Sequence, residues 1–568
     1  MAIRRGGIFN YIRPTKVAYS TFDVGYENKI SCKMGKLVPF FCKELVPGDR
    51  VKLNSSFFVR TAPMVNPIMH RVDVRYHYFF VPFRLLWKNW TKFRAEGDGQ
   101  VLASQRADYT APIHPWLSAN GRSLDTALRS CFRAGSVTDY LSVFPASMNT
   151  EITKVVLDAA KISPMRLAAY FCIYDNYYRV QDTEMTFPDY LKSQNIGDGE
   201  SYLSDGANPF EYFNNYIVAS IAGDWSHDAT EDVSTDQNYL LLTANWEKDY
   251  FTSALPSPQL GPAVNVPLAG TAPVRFTYDN YGNQDHIDLV RTDGNVASPW
   301  ALNALNHTRS QDELTAFAQL DRASSVTITD LRSLFQLQRL RERLAQAGTR
   351  YKEWLLAIFG MNDKDSRLDR PEYLGGGSQP VQISEVLQTS ETDQTPLGDY
   401  AGRGISAGSA HMSTYQAPED GVLMGIMSIT PRTAYYQGIP RQLLYRTPYD
   451  YFHPYFEHVG EQEVFREELY ANYYNLTQGR KVFGYQSRYC EYKYSHDEVH
   501  GDFTQDSYLS WHLARKFDTN PVLSTQFMKV PQMDRIFAVT APQYDKFYCD
   551  IFNKFIANRP MSKFSEPF

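Results

Sequence analysis

The chain has 568 residues and a formal net charge of −6 at neutral pH. A protein that coats nucleic acid with its whole surface needs a basic excess, so any contact with a polyanion must be local. Aromatic residues make up 14% of the chain and charged residues only 21%, a balance that favours an all-β framework.

Residues 1–20 form a basic arm in which positive charges alternate with aromatic rings. The arm residues concerned are Arg4, Arg5, Phe9, Tyr11, Arg13 and Lys16. Proteins that bind single-stranded nucleic acid combine cations, which bind the phosphates, with aromatic rings, which stack on the bases. These residues are therefore candidate DNA contacts. A solvated tail whose charges happen to cluster is an equally good explanation.

Two strands are predicted between Leu45 and Phe93. In the first, Val51, Leu53, Phe57 and Val59 fall on one face of an extended chain, opposite polar residues. In the second, alternation begins at Val72 and continues to Phe80, and Pro82 ends it. Both patterns have the period of two that is typical of a half-buried strand.

Two polar segments, near 181–248 and at 274–325, lack sustained periodicity and are predicted to be surface insertions. A helical insertion is predicted near 328–360. Its first helix carries a stripe formed by Ser333, Leu337, Leu340, Leu344 and Ala347. A second helix is predicted between Thr349 and Gly360. Such a stripe is expected to pack on its own domain; contact with a membrane or a partner is the alternative.

Apolar and aromatic runs return after Thr414. The runs are GVLMGIMSITP, KVFGYQSRYCEYKY and DRIFAVTAP, and each is a strand candidate. Strands at both ends that enclose a helical, loop-rich middle indicate one sheet framework closed by sequence-distant pairings, as in a Greek-key or jelly-roll sandwich. Residues 21–568 are therefore predicted to form a single domain.

No motif nominates an active site, a cofactor site or a metal site. In HDEVH, residues 496–500, Glu498 stands third and not directly after His496 as a zincin requires, although His496, Glu498 and His500 would share a face on a strand. GGGS at 375–378 is interpreted as a bend, and AGRGISAG at 401–408 as a flexible loop. The chain is predicted not to be an enzyme and to need no cofactor.

The cysteines and the apolar runs bear on the compartment. Six cysteines are scattered without a C-x-x-C pair, which indicates reduced core thiols. No apolar run approaches the ~18 residues of a membrane span, and residues 1–16 lack the apolar core of a secretory signal. We expect folding in a cytosol and no membrane insertion.

Several blocks of the chain, in order, resemble the major capsid protein of the microviruses, which are small single-stranded DNA bacteriophages, and particularly the gokushovirus-like branch. The blocks include FDVGYENKISCKMGKLVPFFCKELVPGD, MHRVDVRYHYFFVPFRLLW, SPMRLAAYFCIYDNYYRVQD, RLDRPEYLGGGSQPVQISEVLQTS and EYKYSHDEVHGDF. The resemblance implies an eight-stranded antiparallel jelly roll of the viral coat type, with large inter-strand insertions that contain short helices.

The resemblance also implies a function and its partners. About sixty copies would close a T=1 icosahedral shell around a circular single-stranded DNA genome. Further expected partners are a small basic DNA-binding protein, a pilot protein and a host surface receptor, with assembly in the bacterial cytoplasm and residence in the virion. Because the jelly roll hosts many functions, a carbohydrate-binding or carbohydrate-cleaving protein is the alternative.

Relatives of this type carry a variable insertion that builds protrusions at the threefold axes. Residues 274–325 are the favoured candidate here, and residues 181–245 are the second choice. Host attachment is expected to use such exposed surface, with a loop that has no receptor role as the alternative. The basic arm is expected to face the interior.

Overall fold

The structure is a computed structural model. It describes residues 18–95, 111–118, 134–143, 160–181, 183–195, 198–222, 241–259, 261, 274–280, 283–288, 315–318, 328–347, 370–387, 400–471 and 480–564. The chain divides into two compact units, one made of Met1–Pro256 with Asp363–Phe568 and the other of Ser257–Asn362.

The structure is mostly β-sheet with some helices, which agrees with the predicted all-β framework. The strands in chain order are β1 Ser20–Asp23, β2 Tyr26–Cys32, β3 Val38–Leu45, β4 Arg50–Thr61, β5 Val72–Pro82, β6 Trp116–Ser118, β7 Ala207–Pro209, β8 Val274–Asn280, β9 Asn283–Asp288, β10 Thr315–Ala318, β11 Glu372–Pro380, β12 Gln382–Leu387, β13 Tyr400–His411, β14 Tyr415–Gln416, β15 Gly421–Pro431, β16 Ala434–Tyr435, β17 Glu461–Phe465, β18 Val482–Ser487, β19 Asp497–Glu498 and β20 Phe547–Arg559. The α-helices are Phe83–Leu86, Trp90–Ala95, Val137–Tyr140, Met165–Tyr177, Phe187–Ser193, Phe210–Ala222, Ile328–Ala347 and Thr525–Met528.

A seven-stranded antiparallel sheet runs in the order β1-β20-β4-β13-β12, with β2 also paired to β20 and β14 to β4. In β4 every second side chain from Val51 to Val59 is buried and the side chains between them are exposed. The first predicted strand is thus confirmed. Its neighbour β20 has the same alternation from Phe547 to Phe555, yet it was not among the predicted strands.

A second sheet has the order β11-β5-β15-β3, again antiparallel. The predicted strand that ends at Pro82 is confirmed as β5, and GVLMGIMSITP is confirmed as β15. All residues of β15 are buried. A strand covered on both faces reads as a continuous apolar run and not as an alternation, which explains the sequence of β15.

Aromatic side chains from the two sheets meet in one core. The rings of Phe57 on β4 and Tyr76 on β5 are stacked, with centroids 3.5 Å apart. Phe40 on β3 contacts Phe57 edge-on at 5.1 Å and Tyr78 at 5.7 Å. These contacts place the main core between the two sheets, where pairs of rings add to the free energy of apolar burial.

Two glycine-rich segments differ from prediction. GGGS lies within β11 and AGRGISAG within β13, where a bend and a loop were expected. The reason is close packing: a Cβ on Gly402 would lie 2.5 Å from the carbonyl oxygen of Asn66, and one on Gly376 would overlap the carbonyl oxygen of Tyr76. Glycine marks a close approach of backbones in these strands.

Two predicted carboxyl-terminal strands were also wrong in extent or type. KVFGYQSRYCEYKY is a strand only over Val482–Ser487, and its second half forms a 3-10 helix at Cys490–Tyr492. DRIFAVTAP forms no strand but begins with a 3-10 helix at Asp534–Ile536. Local β propensity was outweighed by tertiary context in both cases.

The segment near 181–248 contains buried helices where only surface loop was expected. Phe187 on the helix Phe187–Ser193 stacks against Phe171 at 5.1 Å and against Phe213 at 4.9 Å. Phe213 belongs to the helix Phe210–Ala222. Short helices that bury a few large rings leave no long periodic pattern, so the polar composition of the segment concealed them.

The unit Ser257–Asn362 contains a three-stranded sheet of order β10-β8-β9 and the helix Ile328–Ala347. The first helix of the predicted helical insertion is therefore confirmed, while the second, at residues 349–360, lies outside the described residues. Leu337 and Leu340 of the predicted stripe are exposed, so this part of the stripe is not buried as expected.

Candidate assembly surface and predicted site residues

The predicted DNA-contact residues Arg4, Arg5, Phe9, Tyr11, Arg13 and Lys16 lie outside the described residues. The chain that follows them enters the seven-stranded sheet directly, because Ser20 on β1 pairs with Arg559 at the end of β20. The arm is therefore joined to one identified end of that sheet.

HDEVH does not gather its acidic and histidine side chains around one point. His500 Nε2 lies 2.9 Å from Glu498 Oε2, and both side chains are exposed. His496 instead packs against the rings of Phe251 and Tyr435, and its burial lowers its pKa. Within the described part of the chain, no three His, Cys, Asp or Glu side chains are placed to hold a metal ion.

The cysteines outside any motif are free thiols. Cys32, Cys172 and Cys549 are buried, Cys42 and Cys490 are partly buried, and none of these five forms a disulfide. The reduced state of these thiols stays a prediction, and Cys131 lies outside the described residues.

A surface segment at residues 443–459, here called the aromatic loop, exposes a dense set of large apolar side chains. Tyr455 is 87% exposed and Leu443 is 75% exposed. The further exposed side chains of the loop are Tyr449, Tyr451, Phe452 and Val459. Large apolar side chains exposed at this density within one segment indicate a protein–protein contact.

Tyr489 is a buried residue that holds the aromatic loop in place through hydrogen bonds to its backbone. It is buried and adopts a left-handed backbone with φ of 61°, which is uncommon for a residue other than glycine. Its hydroxyl donates to the carbonyl oxygen of Tyr451 at 3.3 Å and accepts the backbone N–H of His453 at 3.3 Å. Its own N–H donates to Gln462 Oε1 at 3.1 Å. The loop is thus held to β17, the strand that carries Gln462.

An ion pair between a partly exposed arginine and a buried carboxylate holds the start of this region. Arg441 Nη1 lies 2.9 Å from Glu468 Oε1, and Glu468 also accepts a hydrogen bond from the hydroxyl of Tyr250 at 3.1 Å. Burial raises the pKa of Glu468, and the neighbouring Arg441 opposes that rise. Because three chain segments meet at one carboxylate, the loop starts from a fixed position and can present its rings in a defined arrangement.

The aromatic loop was not predicted from the sequence. The available signal was the stretch YRTPYDYFHPYFEH, residues 445–458, in which aromatic residues alternate with prolines and charged residues. Such a stretch has neither the period of a strand nor that of a helix, so rings in it have no regular element to bury them.

A two-sheet β protein with an exposed aromatic surface has the properties of a structural protein that assembles with other subunits. The model of the family described as "Capsid protein (F protein)" matches residues 11–568. The chain belongs to this family, whose members are structural capsid proteins and not enzymes.

Individual phage proteins are similar over almost their whole length. Capsid protein VP1 of Bdellovibrio phage phiMH2K is 30% identical, and the alignment covers 98% of this chain and 97% of that protein. Capsid protein VP1 of Chlamydia phage 1 is 28% identical with the same coverage of 98% and 97%. Capsid protein VP1 of Spiroplasma virus 4 is 24% identical, again over 98% and 97%. The predicted resemblance to microvirus capsid proteins is confirmed.

Membership in a capsid family places the chain in the virion, as part of a shell built from copies of itself. It favours the capsid interpretation over the carbohydrate-binding or carbohydrate-cleaving alternative. Among the helices that the structure describes, none combines the length and apolar character needed to cross a lipid bilayer.

Proposed function

We propose that this chain is the major capsid protein of a T=1 icosahedral shell of about sixty copies that encloses a circular single-stranded DNA genome. The single observation that carries the proposal is the family match over residues 11–568. The aromatic loop supports it, since it supplies apolar surface that a second subunit can cover.

The two sheets support an eight-stranded jelly roll as the building block. In this proposal residues 21–568 are one jelly-roll domain whose insertions include the compact unit Ser257–Asn362, and residues 1–20 are an internal arm. The eight strands counted in chain order are β2, β3, β4, β5, β11, β13, β15 and β20. One sheet has the order β2-β20-β4-β13, which are the first, eighth, third and sixth of these strands. The other has the order β3-β15-β5-β11, which are the second, seventh, fourth and fifth. That order is expected when two Greek keys fold into a jelly roll.

Particle size tests the proposal. The chain expressed with its phage genome and partner proteins is expected to elute at several megadaltons and to show closed shells of icosahedral symmetry by electron microscopy. Nuclease-resistant single-stranded DNA is expected inside. A chain that stays a monomer or small oligomer under these conditions would exclude the shell.

The aromatic loop offers a sharper version of this test. Stable interfaces bury about 800 Å² on each side, and exposed rings contribute much of the binding energy. We expect Tyr455→Ser with Leu443→Ser to abolish assembly while the subunit remains folded. Met69→Ser is the matched control, because Met69 is equally exposed but lies outside the loop. Normal shells from the double variant would show that the loop is not an assembly contact.

The basic arm is proposed to lie inside the shell, where its cations contact DNA phosphates and Phe9 or Tyr11 stacks on bases. Because the chain carries a formal net charge of −6, a small basic DNA-binding protein must neutralise most of the phosphate charge. Replacing Arg4, Arg5, Arg13 and Lys16 with Ala should leave shells that hold less DNA or less ordered DNA. Unchanged DNA content, or labelling of the arm from outside, would refute its role.

Residues 274–325 are proposed to form the threefold protrusion used for attachment to a host receptor, with 181–245 as the second choice. The described part of the favoured segment contains only the short strands β8, β9 and β10, which a variable insertion can carry without disturbing the two main sheets. A Gly/Ser bridge in place of 274–325 should preserve shells and abolish adsorption. Assembly in the bacterial cytoplasm and a pilot protein in the virion complete the proposal.

A further inference from the structure

On one face of the seven-stranded sheet, the described strands carry exposed rings. In β4 and β20 the side chains that point away from the core are exposed from Arg50 to Arg60 and from Tyr548 to Lys554. Three of them are large rings: Tyr548 is 52% exposed, Phe552 is 48% exposed and Phe58 is 37% exposed. Exposed rings in the middle of a sheet are costly in water unless something stacks on them.

The same face carries more positive than negative side chains. On the strands β1, β2, β20, β4 and β13 the exposed cations of this face are Lys29, Arg50, Lys52, Arg60, Arg403 and Lys554, and the exposed carboxylates are Asp23, Glu27 and Asp550. Cations thus outnumber carboxylates here, although the whole chain carries a net charge of −6. A local positive surface on an acidic protein indicates an anionic partner.

The strand register mixes the rings with the cations. Tyr548 lies directly opposite Arg60, while Phe58 lies opposite Asp550, which separates Tyr548 from Phe552 along β20. Diagonal neighbours of this kind are about 7–8 Å apart, a spacing that one extended strand of nucleic acid can span with successive bases. The guanidinium carbon of Arg60 is 4.9 Å from the ring centre of Phe58.

Aromatic rings that stack on bases, together with cations that bind the phosphate backbone, recognise single-stranded nucleic acid without regard to its sequence. A second copy of this chain fits less well, because the six cations would require a matching acidic surface to be buried against them. The chain that follows the basic arm enters the sheet at the end of β4 and β20 where Arg50 and Arg559 lie.

We propose that this outward face of the seven-stranded sheet, centred on Phe58, Tyr548 and Phe552, binds packaged single-stranded DNA. The proposal rests on the proposed function, in that it requires the shell to contain such DNA. It places the face on the inner surface of the shell. Bases stack on the three rings, and Lys29, Arg60 and Lys554 contact the phosphates between them.

Ultraviolet crosslinking of intact DNA-filled particles, followed by mass spectrometry of the crosslinked peptides, tests the contact without any variant. Crosslinks are expected in β4 at Phe58 and in β20 at Tyr548 or Phe552. Particles that hold DNA but crosslink only through other segments would overturn this inference and leave the proposed function intact. Particles that hold no DNA would overturn both. Crosslinks from this face to another subunit would show that protein covers it.

A triple variant gives a second readout. Phe58→Thr, Tyr548→Thr and Phe552→Thr remove the rings but keep residues that favour strands. Without these rings the bases lose their stacking partners, so we expect a roughly tenfold lower crosslink yield and release of DNA at a lower temperature or a lower salt concentration. Leu387→Thr is the control, since it removes a similarly exposed apolar side chain from edge strand β12 of the same sheet. Equal DNA retention by both variants would refute the role of the rings.

Discussion

Lys529 forms a buried ion pair with Glu184, and we expect removal of its ammonium group alone to destabilise the subunit strongly. Lys529 Nζ lies 2.5 Å from Glu184 Oε1 and donates to the hydroxyl of Tyr174 at 2.6 Å and to the carbonyl oxygen of Ser220 at 2.9 Å. Lys529 is 5% exposed and Glu184 is 4% exposed. Burial lowers the pKa of Lys529, and the charge of Glu184 acts against that shift.

The magnitude follows from the charge that would be left behind. Lys529→Met leaves the Glu184 carboxylate buried without a cation, which costs about 3–5 kcal/mol. Replacing both residues, Lys529→Met with Glu184→Gln, leaves no buried charge, and the double variant should recover most of that loss. The hydroxyl of Tyr174 donates to Glu184 Oε2 at 2.8 Å and can still donate to a glutamine oxygen at that position.

Scanning fluorimetry of purified particles, together with particle yield, measures the effect. Lys516→Met is the control, because Lys516 makes a 2.8 Å ion pair with Asp506 that is largely exposed. A surface pair of this kind contributes about 0–1 kcal/mol. We expect a clear loss of thermal stability only for Lys529→Met. The reasoning fails if Lys529→Met and Lys516→Met behave alike, or if the double variant is as unstable as the single one.

Two further predictions concern packing and pH. Gly402→Ala should destabilise the subunit by about 1–3 kcal/mol, because the new Cβ would lie 2.5 Å from the carbonyl oxygen of Asn66. Gly377→Ala is the control and should be tolerated, because its new Cβ would have its nearest contact at 3.8 Å. Equal melting temperatures of the two variants would contradict this prediction. Burial lowers the pKa of Lys36 from 10.5 to about 7, helped by the charges of Lys529 and Lys33. Between those pH values the unfolded chain binds a proton that the folded chain does not, so stability rises with pH in that window. Lys36→Met should therefore be more stable than the wild type near pH 7 and lose this advantage towards pH 10; a difference that does not vary with pH would refute it.

The strands β4 and β5 were predictable because their signal is local. Alternating burial from Val51 to Val59 leaves a period of two in the sequence itself. The helix Ile328–Ala347 was predictable for the same reason, with a helical period in place of two. Patterns of this kind lie in the residues of the element itself and can be recognised without knowing its neighbours.

The strand β13 was not predictable from its own residues. Its glycines remove the apolar alternation, and they are required because Asn66 and Gln379 pack directly against Gly402 and Gly408. Nothing in AGRGISAG indicates which neighbours will approach. A glycine-rich strand and a flexible loop therefore have the same sequence signature until the partners are known.

The amino-acid sequence by itself determined the family, the β-rich framework and the absence of a recognisable catalytic motif. Only the tertiary structure decided which strands are neighbours. Ser55 and Asn553, 498 residues apart in the chain, form a buried hydrogen bond of 2.7 Å, and the same pairing brings Phe58 beside Tyr548 on the open face. Alternation specifies which side of a strand is buried, but the partner strand is selected by long-range packing, so a surface built across β4 and β20 has no local sequence signal.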